Sequence, residues 1–123
     1  MSLKELKTEF SQMQKEYDKN DKLRDQIIVL SRDIIKPSKQ AIYALHRDDS
    51  KKARAQLTIA RKNISKVESL LKKFDSKNVG AYTAALEEYV EACCYESFIE
   101  SKTFPTAKDL NVNANTYLLG LAD

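Results

Sequence analysis

The hydrophobic residues of the first 47 positions recur every three or four residues, which is the period of an α-helix with one apolar face. This pattern predicts one long helix from Leu3 to about Arg47, or two helices stacked collinearly. Because proline lacks an N–H donor and its ring clashes with the preceding turn, we expect a kink or an interruption at Pro37. The repeating positions are Leu3, Leu6, Phe10, Met13, Ile27, Leu30, Ile34, Ile42 and Leu45.

Two further helices follow, and they differ in how their apolar residues are distributed. Residues 48–50 predict a connection that also caps the second helix, which runs from about Lys51 to Phe74 with basic flanks. The third helix runs from about Val79 to Ser101 and is apolar nearly all round, which is typical of a central, buried helix. The apolar stripe of the second helix comprises Ala53, Leu57, Ala60, Ile64, Val67 and Leu71.

The last segment predicts a short turn at residues 106–109, with the spacing of a capping box, and a final helix from about Asn113. That helix shows only about two turns of an apolar face before the sequence ends at Asp123. We therefore expect that the natural domain continues or that another subunit covers this face.

The two glycines and two prolines are too few for sheets joined by tight turns. The expected fold is a single all-α domain over residues 1–123, an antiparallel helical bundle.

Charge is distributed unevenly along the chain. Residues 50–78 carry a formal charge of +7, and residues 79–123 carry −5. One interpretation is a helical hairpin whose two arms neutralise each other. The other is a basic, phosphate-binding surface beside an acidic metal site.

Glu88 and Glu91 are the most distinctive acids of the third helix. Three residues apart on a helix, they share one face with Ala84 and Tyr95, and no Lys, Arg or His occurs in the 24 positions between Lys77 and Lys102. Buried without partners, such carboxylates would cost several kcal/mol each or become protonated. Three alternatives for what balances the charge of these carboxylates remain open. They are basic residues of the second helix, a water-filled cavity, or a hard divalent cation such as Mg²⁺, which prefers carboxylate oxygen.

Other reactive residues have simpler interpretations. His46 stands at the predicted end of the first helix and is interpreted as a C-cap rather than as a catalytic residue. Cys93 and Cys94 have no second histidine to form a zinc site and are expected to be reduced core residues, which indicates a cytoplasmic protein. No apolar run approaches the ~20 residues that span a bilayer, so no membrane is expected as a partner.

Three blocks of sequence resemble the translin family, especially the branch of the translin-associated factor X and its archaeal relatives. They are 23-LRDQIIVLSRDIIKPSKQAIYALHR-47, 85-ALEEYVEACCYESFI-99 and 117-YLLGLAD-123. The blocks occur in the family's order and together cover most of residues 23–123. The first 20 residues match nothing in the family pattern.

The resemblance implies a translin-type helical fold, assembly into hollow octamers of like or related translin-type subunits, and binding of single-stranded RNA and DNA. It also implies Mg²⁺-dependent endoribonuclease activity. The active branch has a Glu-aromatic-aliphatic-Glu-Ala motif, matched by Glu88 to Ala92, and a third acid after a Leu-Gly-hydrophobic-Ala step, matched by Asp123. Glu88, Glu91 and Asp123 are thus the implied metal ligands and catalytic residues. The sequence departs from the family pattern after Asp123, where a further acid and several helices are usual.

The residues expected to hold a nucleic acid are chosen from the clustering of positive charge, and not from the family resemblance. The expected phosphate contacts are Arg32, Lys36, Arg54, Arg61 and Lys62. Contacts of this kind are independent of sequence and weaken with salt. Two rival functions remain at this point: a nucleic-acid-binding protein without catalysis, and a helical assembly module whose charged faces pair with each other.

Overall fold

A computed structural model describes residues 1–73 and 79–122 and contains no strand in these ranges. The helices are α1 (Leu3–His46), α2 (Ser50–Leu71), α3 (Gly80–Ser101), α4 (Ala107–Leu110) and α5 (Ala114–Ala122). Helix α1 packs along both α2 and α3 in one core, α2 runs antiparallel to both, and α5 packs on α3. The expected all-α helical bundle is confirmed. None of the helices in the described ranges is both long and apolar enough to cross a membrane.

The ends of the helices are fixed largely by local capping. Ser2 and Glu5 form a capping box at the start of α1, and Asp49 caps α2 by accepting the backbone N–H of Lys52 at 3.1 Å. Thr106 and Asp109 form the predicted capping box of α4. Each cap satisfies N–H groups that have no partner within the helix. The predicted end of α2 at Phe74 lies outside the described residues.

The buried face of α1 begins only near the middle of the helix. Leu23 is the first buried side chain, whereas the large apolar residues of the N-terminal arm, residues 3–22, are all exposed. From Leu23 onward, the predicted stripe packs against α2 and α3. Alanines that are fully buried in all three helices let the helices approach closely; they are Ala41, Ala44, Ala53, Ala60, Ala85 and Ala92.

Helix α1 passes through Pro37 without an interruption, as the alternative of one long helix predicts. A proline at this position cannot donate to the carbonyl of Asp33, four residues earlier. The side-chain amide of Asn63 on α2 donates to this carbonyl instead, at an N–O distance of 2.9 Å. The neighbouring helix therefore supplies the hydrogen bond that Pro37 removes.

Helix α3 lies against α1 and α2 and buries side chains on several sides, as its apolar sequence predicts. Its buried residues are Tyr82, Ala85, Tyr89, Val90, Ala92, Cys93 and Cys94. The other contact of α3 is with α5, at Gly120. A Cβ atom added at Gly120 would lie 2.7 Å from the Cβ of Val90 and 2.8 Å from the carbonyl oxygen of Glu87. Only a residue without a side chain fits this crossing.

Candidate functional site

The acidic face of α3 carries Glu88 and Glu91, one helical turn apart and both half-buried. On the same face, the hydroxyl of Tyr95 lies 3.2 Å from Nδ1 of His46, and the two rings are 5.1 Å apart. His46 is the last residue of α1 while Arg47 is its C-cap, so the interpretation of His46 as the cap is wrong by one residue. The imidazole instead ties the end of α1 to the acidic face of α3.

The C-terminal helix α5 reaches the turn of α3 that carries these acids. Gly120 belongs to the predicted Leu-Gly-Leu-Ala step and packs closely against Glu87 and Val90, which lie one position before and two positions after Glu88. Asp123, the third implied ligand, lies outside the described residues. Within residues 1–73 and 79–122, no group of three or more His, Cys, Asp or Glu side chains is arranged to hold a metal ion. The site of Glu88, Glu91 and Asp123 therefore stays a prediction.

The five nominated basic residues lie on two different parts of the bundle. Arg32 and Lys36 are exposed on α1 and line a shallow groove together with Lys39 and Tyr43. Because these positions recur at intervals of three to four residues, they form one row along the helix. Arg54, Arg61 and Lys62 are exposed on α2, where two of them contact α3.

The contacts of Arg54 and Arg61 show how α2 meets the acidic helix. Arg54 forms an ion pair with Glu100 at 3.0 Å between exposed groups, a kind of contact that stabilises a fold by little. The Nε of Arg61 donates to the hydroxyl of Tyr89 at 3.0 Å. Within residues 1–73 and 79–122, the predicted charge complementarity of the α2–α3 hairpin thus appears as the ion pair of Arg54 with Glu100.

A cleft of about 480 Å³ opens beside this contact, between α2, α3 and the segment of residues 105–112. Tyr89 and Cys93 form part of its α3 wall, and the Tyr89 hydroxyl also interacts with the Cys93 thiol. Burial raises the pKa of Cys93 to about 12, so this thiol stays protonated at neutral pH and is a weak nucleophile. Burial likewise raises the pKa of the Tyr89 hydroxyl. Both residues act as neutral hydrogen-bonding groups.

The cleft and the acidic face occupy opposite sides of α3. With 3.6 residues per turn, the positions of Leu86, Tyr89 and Cys93 centre on one side of the helix, and those of Glu88 and Glu91 centre on the other. Sequence reasoning missed the cleft, although Tyr89, Cys93 and Glu96 have the spacing of one helical face. The missing information was the position of residues 105–112, which close the cleft from a distant part of the chain.

The comparisons with known proteins all find members of the same protein family. The profile of the Translin family matches residues 22–123. A translin-associated protein X homolog of Schizosaccharomyces pombe is 32% identical over 126 residues, covering 90% of this chain and 53% of that protein. Translin-associated protein X of Mus musculus is 30% identical over 111 residues, covering 83% of this chain and 38% of the mouse protein.

A solved structure agrees with these relatives. The crystal structure of apo-NeC3PO superimposes with a TM-score of 0.84 at 27% identity, covering 93% of this chain and 61% of the solved chain. The chain thus spans about half of the yeast relative and less of the mouse relative.

Proposed function

The chain belongs to the translin family, and from this premise we propose that it binds single-stranded RNA or DNA and cleaves RNA with the help of Mg²⁺. The observation that carries the proposal is the placement of Glu88 and Glu91 on one half-buried face of α3. The docking of α5 on the adjacent turn supports it, because the family's third acid follows the Leu-Gly-Leu-Ala step that makes this contact.

The donor set fits the ion. Magnesium is bound in proteins through one or two carboxylates and keeps several water molecules, so two half-buried carboxylates one turn apart suit it. Glu88, Glu91 and Asp123 are proposed to hold it. A magnesium ion bound there would act as a Lewis acid and lower the pKa of a bound water.

The basic residues are proposed to hold the strand through its phosphates. Arg32 and Lys36 are the best placed, because they form an exposed row on α1 with Lys39. Lys62 adds an exposed charge on α2, while Arg54 and Arg61 would have to share their present contacts with α3. We further propose that the chain assembles with copies of itself or with related translin-type subunits, as expected for the family.

Cleavage of an end-labelled single-stranded RNA tests the proposal. The full chain should cut the RNA with Mg²⁺ and not with a chelator, because the acids need an ion to act on a phosphodiester. The variant Glu88→Gln/Glu91→Gln should lose cutting but keep RNA binding, measured separately by fluorescence anisotropy.

The matched control is Glu9→Gln/Glu16→Gln, which removes the same charge from exposed positions of the N-terminal arm. It should cut RNA as the unmodified chain does. Metal-dependent cutting that persists in the Glu88→Gln/Glu91→Gln variant would rule out this acidic face as the site.

A second candidate function is strand binding without cleavage. The exposed row of Arg32, Lys36 and Lys39 favours it, because phosphate contacts need neither a metal nor an acid. Under this alternative, the RNA is bound in chelator as well as in Mg²⁺ and remains intact in both. The cleavage experiment separates the two functions directly.

A further inference from the structure

The cleft between α2, α3 and residues 105–112 has the size of a small-molecule site and a wall of defined shape. Its volume of about 480 Å³ falls within the ~300–1,000 Å³ that is usual for ligand clefts. The hydroxyl of Tyr117 donates to the carbonyl of Pro105 at 2.7 Å, and the capping box of Thr106 and Asp109 fixes the next turn. These bonds hold the third wall in place against the helices.

Glu96 brings an unsatisfied acceptor to the cleft. Its Oε2 atom is buried and has no hydrogen-bond partner among the described residues. A buried carboxylate oxygen without a donor is costly. This oxygen is shielded in the present side-chain rotamer, so a rotation of the half-buried Glu96 side chain would bring it to a ligand N–H or O–H in the cleft. The side chain therefore selects for a hydrogen-bond donor.

Arg61 brings a fixed donor to the same cleft. Its Nε is bound to the Tyr89 hydroxyl, which orients the guanidinium plane. Arg61 is near enough to Glu96 to attract its charge, yet the described residues contain no ion pair between them. A ligand with a hydrogen-bond acceptor beside a hydrogen-bond donor would bridge the two side chains. Its acceptor would bind Arg61, and its donor would bind Glu96.

We propose that this cleft holds one unstacked nucleobase, whose donor groups bind Glu96 and whose acceptor groups bind Arg61. Every nucleobase presents donors and acceptors on its edges, and RNA-binding proteins hydrogen-bond such splayed-out bases. Ile64, Leu86, Leu110 and Val112 also line the cleft and offer apolar contact to the faces of the ring.

The charges around the cleft favour a neutral base over an anionic ligand. Glu68 and Asp109 also line it, and their negative charges disfavour a phosphate group there. A neutral heterocycle avoids this repulsion. The inference rests on the proposed strand binding for its source of bases and adds a second contact, on the side of α3 opposite Glu88 and Glu91.

Free nucleosides test the inference without the phosphate contacts of a strand. Guanosine, adenosine, cytidine and uridine are titrated into the ¹⁵N-labelled full chain while the Nε–H resonance of Arg61 is followed by NMR. At least one nucleoside should shift this resonance. Glu96→Gln should weaken that binding by about tenfold or more, the usual effect of losing a hydrogen bond to a charged group.

Glu9→Gln is the matched control, because it makes the same change in charge at an exposed position of the N-terminal arm. It should bind nucleosides as the unmodified chain does. A chain whose Arg61 resonance no nucleoside shifts, or a Glu96→Gln variant that binds as tightly as the unmodified chain, overturns the inference.

A labelled single-stranded RNA is measured in parallel to separate this inference from the proposed function. Nucleoside binding without RNA binding would remove the proposed function and leave the cleft as a site for free nucleosides. RNA binding that Glu96→Gln does not weaken, with no nucleoside binding, would leave the proposed function standing and remove the base site.

Discussion

At the scale of single residues, Asn63 completes the hydrogen bonding of a helix to which it does not belong. Its amide donates to the Asp33 carbonyl that faces Pro37. Asn63→Ala should lower the free energy of unfolding by about 1 kcal/mol or somewhat more, because the carbonyl loses its donor. The measurement is urea-induced unfolding followed by circular dichroism.

Pro37→Ala provides the background that tests this interpretation. An alanine restores an N–H at position 37, which can bind the Asp33 carbonyl within α1. The cost of Asn63→Ala should therefore shrink in the Pro37→Ala chain, as in a double-mutant cycle. An equal cost in both backgrounds would show that Asn63 stabilises the bundle by another contact.

Glu96 predicts a dependence of stability on pH. Burial first, and then the charge of Glu100, raise the pKa of Glu96 above its usual value. A carboxyl group whose pKa is raised by folding stabilises the fold below the pKa of the unfolded state, and this contribution is lost as the pH rises through the pKa of the folded state. Glu96→Gln should therefore melt at a higher temperature than the unmodified chain at neutral pH.

The difference in melting temperature between Glu96→Gln and the unmodified chain should disappear when the pH falls below about 4.5, the ordinary pKa of glutamate. Both side chains are then neutral. Calorimetry between pH 3 and pH 8 measures it. A melting temperature of Glu96→Gln that is lower at every pH would mean that the carboxylate has a stabilising partner.

At the scale of elements, the sequence predicts the helices well because each forms from local periodicity and local caps. The acids at Glu88 and Glu91 share a face for the same reason. The path of α1 through Pro37 and the cleft at Arg61 could not be predicted, since both depend on residues of another helix. Asn63 and residues 105–112 reach their positions only through packing.

The crossing of α5 over α3 is sensitive to a single methyl group. Gly120→Ala places a Cβ against the carbonyl of Glu87 and against Val90, both under 3.0 Å away. The expected loss in the free energy of unfolding is about 1–3 kcal/mol, the usual range for overpacking. If α5 carries an acid to Glu88 and Glu91 as proposed, RNA cleavage should also fall.

Gly80→Ala is the matched control, because nothing lies within 4 Å of a Cβ at Gly80. As this glycine begins α3, alanine there should leave stability unchanged or raise it by up to about 1 kcal/mol. Chemical unfolding of the two variants side by side gives the comparison. Equal effects of the two substitutions would contradict the close α3–α5 contact.

At the scale of the whole molecule, strand binding should depend on salt through the exposed row on α1. Each phosphate contact with a single strand contributes about 0.7 to the slope of log affinity against log salt. Arg32→Gln/Lys36→Gln should therefore reduce this slope by about 1.4. Anisotropy titrations of a labelled RNA at several salt concentrations measure the change.

Lys4→Gln/Lys7→Gln on the N-terminal arm makes the same change in net charge. It should leave the slope nearly as it is, because the arm has no part in the proposed phosphate contacts. Equal reductions in both variants would mean that the strand responds to net charge rather than to the row of Arg32 and Lys36.

The family match begins at residue 22, next to Leu23, where α1 first becomes buried. The N-terminal arm is helical without packing on the bundle of one chain. Isolated helices of this length are marginal in water because nucleation is costly, but the arm grows from a helix that the bundle has already nucleated. The helicity of the arm therefore depends only on extending this existing helix residue by residue. The Ser2 capping box stabilises the far end of the arm. On heating, we expect the arm to fray from that end, so that ellipticity declines gradually before the bundle melts cooperatively.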